Sequence, residues 1–251
     1  MTMRHLAVIA FVWVCAIPGA AFGQAKEWKE FVSKDDRFSV NFPGDPVVTD
    51  IVWVSEYGAR LPGRVYSVQD GQRFYSMTTV DYTLAKELDA ARAKACPDQD
   101  DELCTGHTSF SGPGYWKNDV RGAMIFAALK FMKRPDTEVG HYMWNYYGMG
   151  IEVNELQLAN NVKKTRTFVS ISMHHSRLYV MEATVPQNVP PPGLFQQSIS
   201  LFEEDGKRTS HGHVVFNGAE IEPNETSARR PRPGDAPAGG QAAPGGRPAT
   251  P

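Results

Sequence analysis

The chain of 251 residues is 41% hydrophobic and 22% charged, with a formal net charge of -2. That balance excludes collagen-like, coiled-coil and wholly disordered chains. Residues 1–23 hold one basic residue and no acid, residues 228–251 carry net +3, and residues 24–227 carry net -6. A body this acidic lacks the positive footprint that nucleic acid requires, and it is long enough for one sizeable core or two small ones.

Met1 to His5 is a short basic start, and Leu6 to Ile17 is an apolar run broken by Pro18 and Gly19. Ala21-Phe22-Gly23 then places small residues two apart, the pattern that signal peptidase reads. The run is shorter than the roughly 20 apolar residues of a bilayer span. Residues 1–23 are therefore expected to be a signal peptide, cleaved after Gly23, and the protein is expected in the periplasm or secreted. A retained anchor or a buried first helix is the alternative. No other segment has the length of a transmembrane helix.

Cys15 leaves with the signal, which keeps only Cys96 and Cys104. An even pair in an exported chain reads as a disulfide, and closing that short loop restricts the unfolded state by about 2.5 kcal/mol. A redox pair would be spaced C-x-x-C, and a zinc site there would find only His107 as a third ligand.

Phe38, Val40 and Phe42 alternate with polar residues, the period of a half-buried strand. Val47 to Ser55 is β-rich and apolar on both faces, which predicts helical cover on both sides of the sheet. Asp70-Gly71 between Arg64–Gln69 and Gln72–Tyr82 marks a hairpin. A helix is expected from Leu84, capped by Thr83 and stopped by Pro97. A second is expected from Asn118 or Asp119 to about Lys133, although Gly122 leaves a strand open there. Four strands follow: Val139–Tyr147, Ile151–Leu158, Thr165–His174 and Leu178–Val185. Gly193 to Glu204 reads as a closing amphipathic helix, and His211 to Asn217 as an edge strand. Runs in this order predict an α+β fold with a largely antiparallel sheet.

The opening Phe38-Ser-Val-Asn-Phe42-Pro43-Gly44-Asp-Pro46 and the late strand Arg177 to Pro186 resemble the PsbP-like domains and related small exported bacterial proteins of unknown function. The Val185-Pro186…Pro191-Pro192-Gly193-Leu194-Phe195 junction shares that likeness, which spans roughly Trp28 to Glu204. The resemblance implies one α+β domain over residues 24–217, an antiparallel sheet sandwiched by helices, and a role in binding or scaffolding. Residues 218–251 are expected to form a disordered tail, since residues 228–251 contain six Pro, five Gly, six Ala and four Arg.

G-x-S-x-G, S-x-x-K, H-E-x-x-H, a P-loop and a dinucleotide fingerprint are all missing from the sequence. Six histidines remain after the signal: His107, His141, His174, His175, His211 and His213. His211 and His213 share a face if that segment is a strand, and could hold a metal with Glu203, Glu204 or Asp205, but exposed histidines are the simpler reading. His174-His175 closes a strand, where successive side chains diverge. No catalytic residue, cofactor or metal is assigned from the sequence. Tyr142, Trp144 and Tyr146 would share one strand face, either as a binding surface that stacks on sugars or grips a partner, or as core under a helix. The favoured reading is a non-enzymatic exported binding or scaffold protein whose partner is an unknown protein or envelope ligand. The alternative is a periplasmic hydrolase or metal-dependent enzyme using histidines.

Overall fold

In the computed structural model the described residues are 27–95, 115–212, 214–217 and 219–220. Residues 1–26, where the signal peptide is expected, Cys96, Cys104, the acidic residues between them, His107, His213 and the residues beyond 220 lie outside them, and the disulfide expectation with them.

Among the described residues, extended segments form twelve strands, the longer ones on alternating apolar residues. These are β1 (Lys29–Ser33), β2 (Phe38–Phe42), β3 (Val47–Val54), β4 (Arg60–Asp70), β5 (Arg73–Asp81), β6 (Thr137–Tyr146), β7 (Glu152–Asn160), β8 (Thr165–His174), β9 (Arg177–Pro186), β10 (Ser200–Leu201), β11 (Val215–Phe216) and β12 (Ala219–Glu220). The helices are α1 (Ala85–Lys94), α2 (Tyr115–Met132) and the single turn α3 (Gly193–Gln196). Seven strands form one antiparallel sheet in the order β3-β4-β5-β9-β8-β7-β6, and β1-β2-β10 form a second, smaller sheet. The expected α+β architecture with a largely antiparallel sheet is the one observed. The predicted hairpin turns at Gly71, whose φ of 58° is a conformation glycine adopts at no steric cost.

The period of two divides each central strand between two cores. On one face Val80, Leu178, Val180, Val169, Ile171 and Leu156 pack against Ala123, Met124, Ala127, Ala128 and Phe131 of α2. The three alanines let the helix lie close to the sheet. At Gly122 a Cβ would stand 2.8 Å from Glu56 Oε2, the movable end of a side chain in the loop between β3 and β4. On the other face Tyr75, Met77, Tyr179 and Met181 meet Phe38, Val40, Phe42, Phe195 and Leu201. Burying each such aromatic or aliphatic side chain contributes about 1.5–3 kcal/mol.

Several expectations need correction. The two long helices cover one face of the large sheet; the small sheet and the single turn α3 cover the other. The strand at Val47 to Val54 is apolar on both faces, yet it is an edge, with Val47 68% and Val52 57% exposed. The helical layer reaches it at its end, where Lys130 donates to the Val54 carbonyl at 3.0 Å and sits 3.6 Å over the Trp53 ring. α2 begins at Tyr115, so Asp119 lies inside it, buried, and accepts from the Ser55 hydroxyl at 2.6 Å and the Tyr57 N–H at 3.0 Å. Thr83 turns its hydroxyl back on Asp81 at 2.5 Å. The expected closing helix stops after one turn. Ser198 donates to the Phe195 carbonyl and accepts the Asn41 N–H, and Ser200 and Leu201 then pair with the free edge of β2. Completing a sheet prevails over a local amphipathic pattern. The edge strand expected at His211 to Asn217 is confined to Val215–Phe216, which pairs with β12.

Candidate functional site

The aromatic strand is β6, the last strand of the large sheet. Tyr142 pairs in register with Leu156 and Trp144 with Asn154, so Tyr142, Trp144 and Tyr146 lie on the helix-bearing face. The helical layer stops short of them. They are 40%, 52% and 53% exposed, and the Trp144 and Tyr146 rings stand 6.3 Å apart. The alternative that they form core under a helix is therefore set aside. Burial and the neighbouring Glu152 carboxylate raise the Tyr142 phenol. Burial likewise raises the Glu152 carboxyl, an effect the Trp144 indole offsets in part. A bulge between Val139 and His141 kinks the start of the strand, and from His141 to Tyr146 the pairing runs regularly.

A second cluster forms where β8 turns into β9, and sequence reading did not assemble it. The turn is His175-Ser176, with φ of 46° and 55°, in a type of position where Asn-Gly is usual. Because His175 leaves the strand with a left-handed backbone, the two neighbouring histidines do not diverge. Their ring centroids are 4.1 Å apart and both reach Glu203: His174 Nε2 lies 3.2 Å from Oε1, and His175 Nε2 lies 2.7 Å from Oε2. Thr209 donates to Glu203 Oε1 at 2.7 Å and lies 3.3 Å from His174 Nε2. The His211 ring lies 5.9 Å from that of His174. Two turns place Glu203 and His211: Glu203 and Lys207 are joined by a backbone hydrogen bond, and the His211 N–H donates to the Met149 carbonyl.

The electrostatics follow from burial. His174 is 1% exposed. Desolvation, reinforced by the charge of His175, pushes it down to about 4 despite the pull of Glu203. Desolvation works against the Glu203 carboxylate, but the hydrogen bonds from Thr209 and His175, with the two imidazoles' charges, hold it down at about 2. At neutral pH the carboxylate is ionised and His174 is neutral, so His174 Nε2 carries the proton that faces Glu203. Its Nδ1 is then a bare lone pair. That atom, like His211 Nε2, is buried without a hydrogen-bond partner among the described residues.

One ligand atom each from His174, Glu203 and His211 lie within 4.8 Å of one another. Of the metal partners weighed from sequence, Glu203 and His211 do come together, joined by His174; His213 lies outside the described residues. Glu204 instead accepts from Arg37 and Asp205 pairs with Lys207. His141 stands on β6, remote in sequence and exposed. The signal that marked His174 was its position, a His-His pair at a hairpin turn that lacks ordinary turn residues.

No helix among the described residues is long and apolar enough to cross a membrane. No protein-family model matches the chain, and no curated protein matches it. Among solved structures the chain is similar to cyanobacterial PsbP (CyanoP) from Synechocystis sp. PCC 6803, with a TM-score of 0.40 and 10% identity over 72% of this chain and 96% of that one. This is a loose structural counterpart of the resemblance to PsbP-like domains.

Proposed function

We propose that the protein is an exported, non-enzymatic binding protein that receives an extended partner segment along β6. The observation that carries this is the exposed aromatic row on a terminal strand. Tyr142, Trp144 and Tyr146 keep about half their surface in water, beside backbone groups that no strand of the described residues pairs. An added strand gains main-chain hydrogen bonds from such an edge, and the alternate side chains supply specificity. The net charge of -6 over residues 24–227 favours a neutral or basic segment. A photo-crosslinking residue at position 144 should give a discrete adduct with envelope material, whereas the same residue at position 52 on the opposite edge should not. Equal labelling from both positions would remove the reading. A Trp144 emission shift with soluble cell-wall glycan, with no protein adduct, would assign the row to sugar stacking instead.

A second reading, a periplasmic hydrolase or metal-dependent enzyme, is favoured by the convergence of His174, His175, Glu203 and Thr209. Its weakness is access, because His174 and Thr209 are 1% and 5% exposed and only His175 and Glu203 could meet a substrate. Turnover of model esters or phosphoesters that is lost in His175→Ala would support it; rates equal to those of the variant would end it.

A further inference from the structure

We propose that His174, Glu203 and His211 form a binding site for a borderline divalent transition-metal ion of the zinc type. The three ligand atoms already lie within 4.8 Å of one another. Tetrahedral bonds of 2.0–2.1 Å to such an ion space the ligands about 3.3 Å apart, so closing the site takes side-chain shifts on the order of an ångström. His174 is fixed by the core, and the movement falls to Glu203 and His211, which are only partly buried.

Two observations point to an ion and away from a mere hydrogen-bonded knot. His211 holds a buried Nε2 with no partner among the described residues, although buried nitrogens are ordinarily satisfied. The protein also holds a strained turn, with His175 and Ser176 at positive φ, which brings the paired rings onto one carboxylate. The donor set is two imidazoles and one carboxylate, which suits zinc, cobalt, nickel or copper ions; magnesium and calcium take all-oxygen sites. Three protein ligands leave a fourth position, beside which His175 stands on the second Glu203 oxygen. Entry is provided from the Glu203 side, where Lys34, Arg37, Phe202, Glu203 and Asp205 line an open cleft of about 560 Å³.

The bond made is a donor bond from each ligand to the ion. His174 would ligate through Nε2, so its proton moves to Nδ1 and the imidazole stays neutral; no oxidant or co-reactant enters. The ion would clip residues 203–211 to the β8–β9 hairpin, independently of what β6 binds.

The test uses the full chain without its signal, titrated with Zn²⁺ by calorimetry and thermal unfolding. Cobalt is added in parallel, because tetrahedral Co²⁺ has a diagnostic visible absorption. Zinc at a hundredfold excess over Kd should raise Tm by about 5–10 °C, and Mg²⁺ should not. His211→Ala and Glu203→Gln should each weaken zinc by about 100-fold or more, beyond the loss that outer-shell changes cause, and should abolish the cobalt band. Both positions are partly exposed, so these variants remain folded where His174→Ala risks a core defect. His141→Ala, on the remote β6, should bind as the parent does. Zinc affinity unchanged in His211→Ala, or a parent chain that binds no zinc, would overturn the proposal.

Discussion

Two polar clusters flank the first residues of β9, where Arg177 and His174 are paired in register, and they are built to different rules. Around the buried Asp36 every group is engaged. Tyr66 donates to Asp36 Oδ2 at 2.5 Å and Arg64 donates to the same oxygen at 3.2 Å. Arg177 stands 3.6 Å from Oδ1, Ser33 meets the Tyr66 hydroxyl at 3.0 Å, and Tyr179 donates to the Asp36 carbonyl. Around Glu203 the carboxylate is served just as well, yet two imidazole nitrogens of the cluster, His174 Nδ1 and His211 Nε2, have no hydrogen-bond partner among the described residues. A network that satisfies itself holds the fold; one that keeps lone pairs in reserve, at a cost in desolvation, is prepared for something else.

The sharpest way to break the comparison is Asp36→Ala. It strips the acceptor from Tyr66 and Arg64 and the counter-charge from Arg177, and removing one partner of a buried charged network costs about 3–5 kcal/mol. Urea unfolding should show that loss, and a change below about 1 kcal/mol would mean the cluster is not structural.

The alkaline limb of stability reports on the same cluster. Burial, joined by the hydrogen bond to Asp36, raises the Tyr66 phenol, and burial also raises Tyr82 and Tyr179. The unfolded chain gives up these protons near pH 10 while the folded chain keeps them, so the native state binds more protons above that pH. Stability should therefore be whole below about pH 10 and fall above it, by up to about 1.4 kcal/mol per pH unit for each such tyrosine. Tyr66→Phe should remove one proton from that slope, as a pH series of urea curves would show. A slope identical to the parent's would place the Tyr66 ionisation outside the linkage.

At the Glu203 cluster the expected loss is smaller. Glu203→Gln keeps an oxygen for Thr209 and gives up only the charge, in a partly exposed position, so metal-free stability should drop by about 1 kcal/mol. A loss as large as that of Asp36→Ala would make the two clusters equivalent. Smallest of all, Trp144→Ser on β6 should leave stability within about 0.5 kcal/mol, as expected for a side chain half in water. A larger loss in thermal unfolding would return Trp144 to the core.

Much of the sheet was legible because its signal is local. Phe38, Val40 and Phe42, or Thr165 to His174, announce strands by alternation alone, and Asp70-Gly71 announces a turn. Alternation gives two faces but never says what lies over them. The valines of β3 thus read like those of a covered strand, and the aromatic row of β6 could equally have been core. The helix expected after Gly193 failed for a related reason, since the free edge of β2, distant in sequence, claimed Ser200 and Leu201. The Glu203 cluster was hidden more deeply. Glu203 and His211 were visible as candidate ligands, but His174 joins them from another hairpin, and only the left-handed turn at His175 brings both rings to one carboxylate.

The pairing of β10 with β2 also sets the order of events in folding. Glu30 and Arg208, 178 residues apart, meet at 2.7 Å, and Phe42 stays without its neighbour Phe195, 5.4 Å away, until that residue has left the ribosome. The core beneath the small sheet is therefore closed by residues made late in the chain. Non-local closure of this kind slows folding, so a nascent chain ending before Gly193 would be kept open, with Phe38 and Phe42 still available to a chaperone.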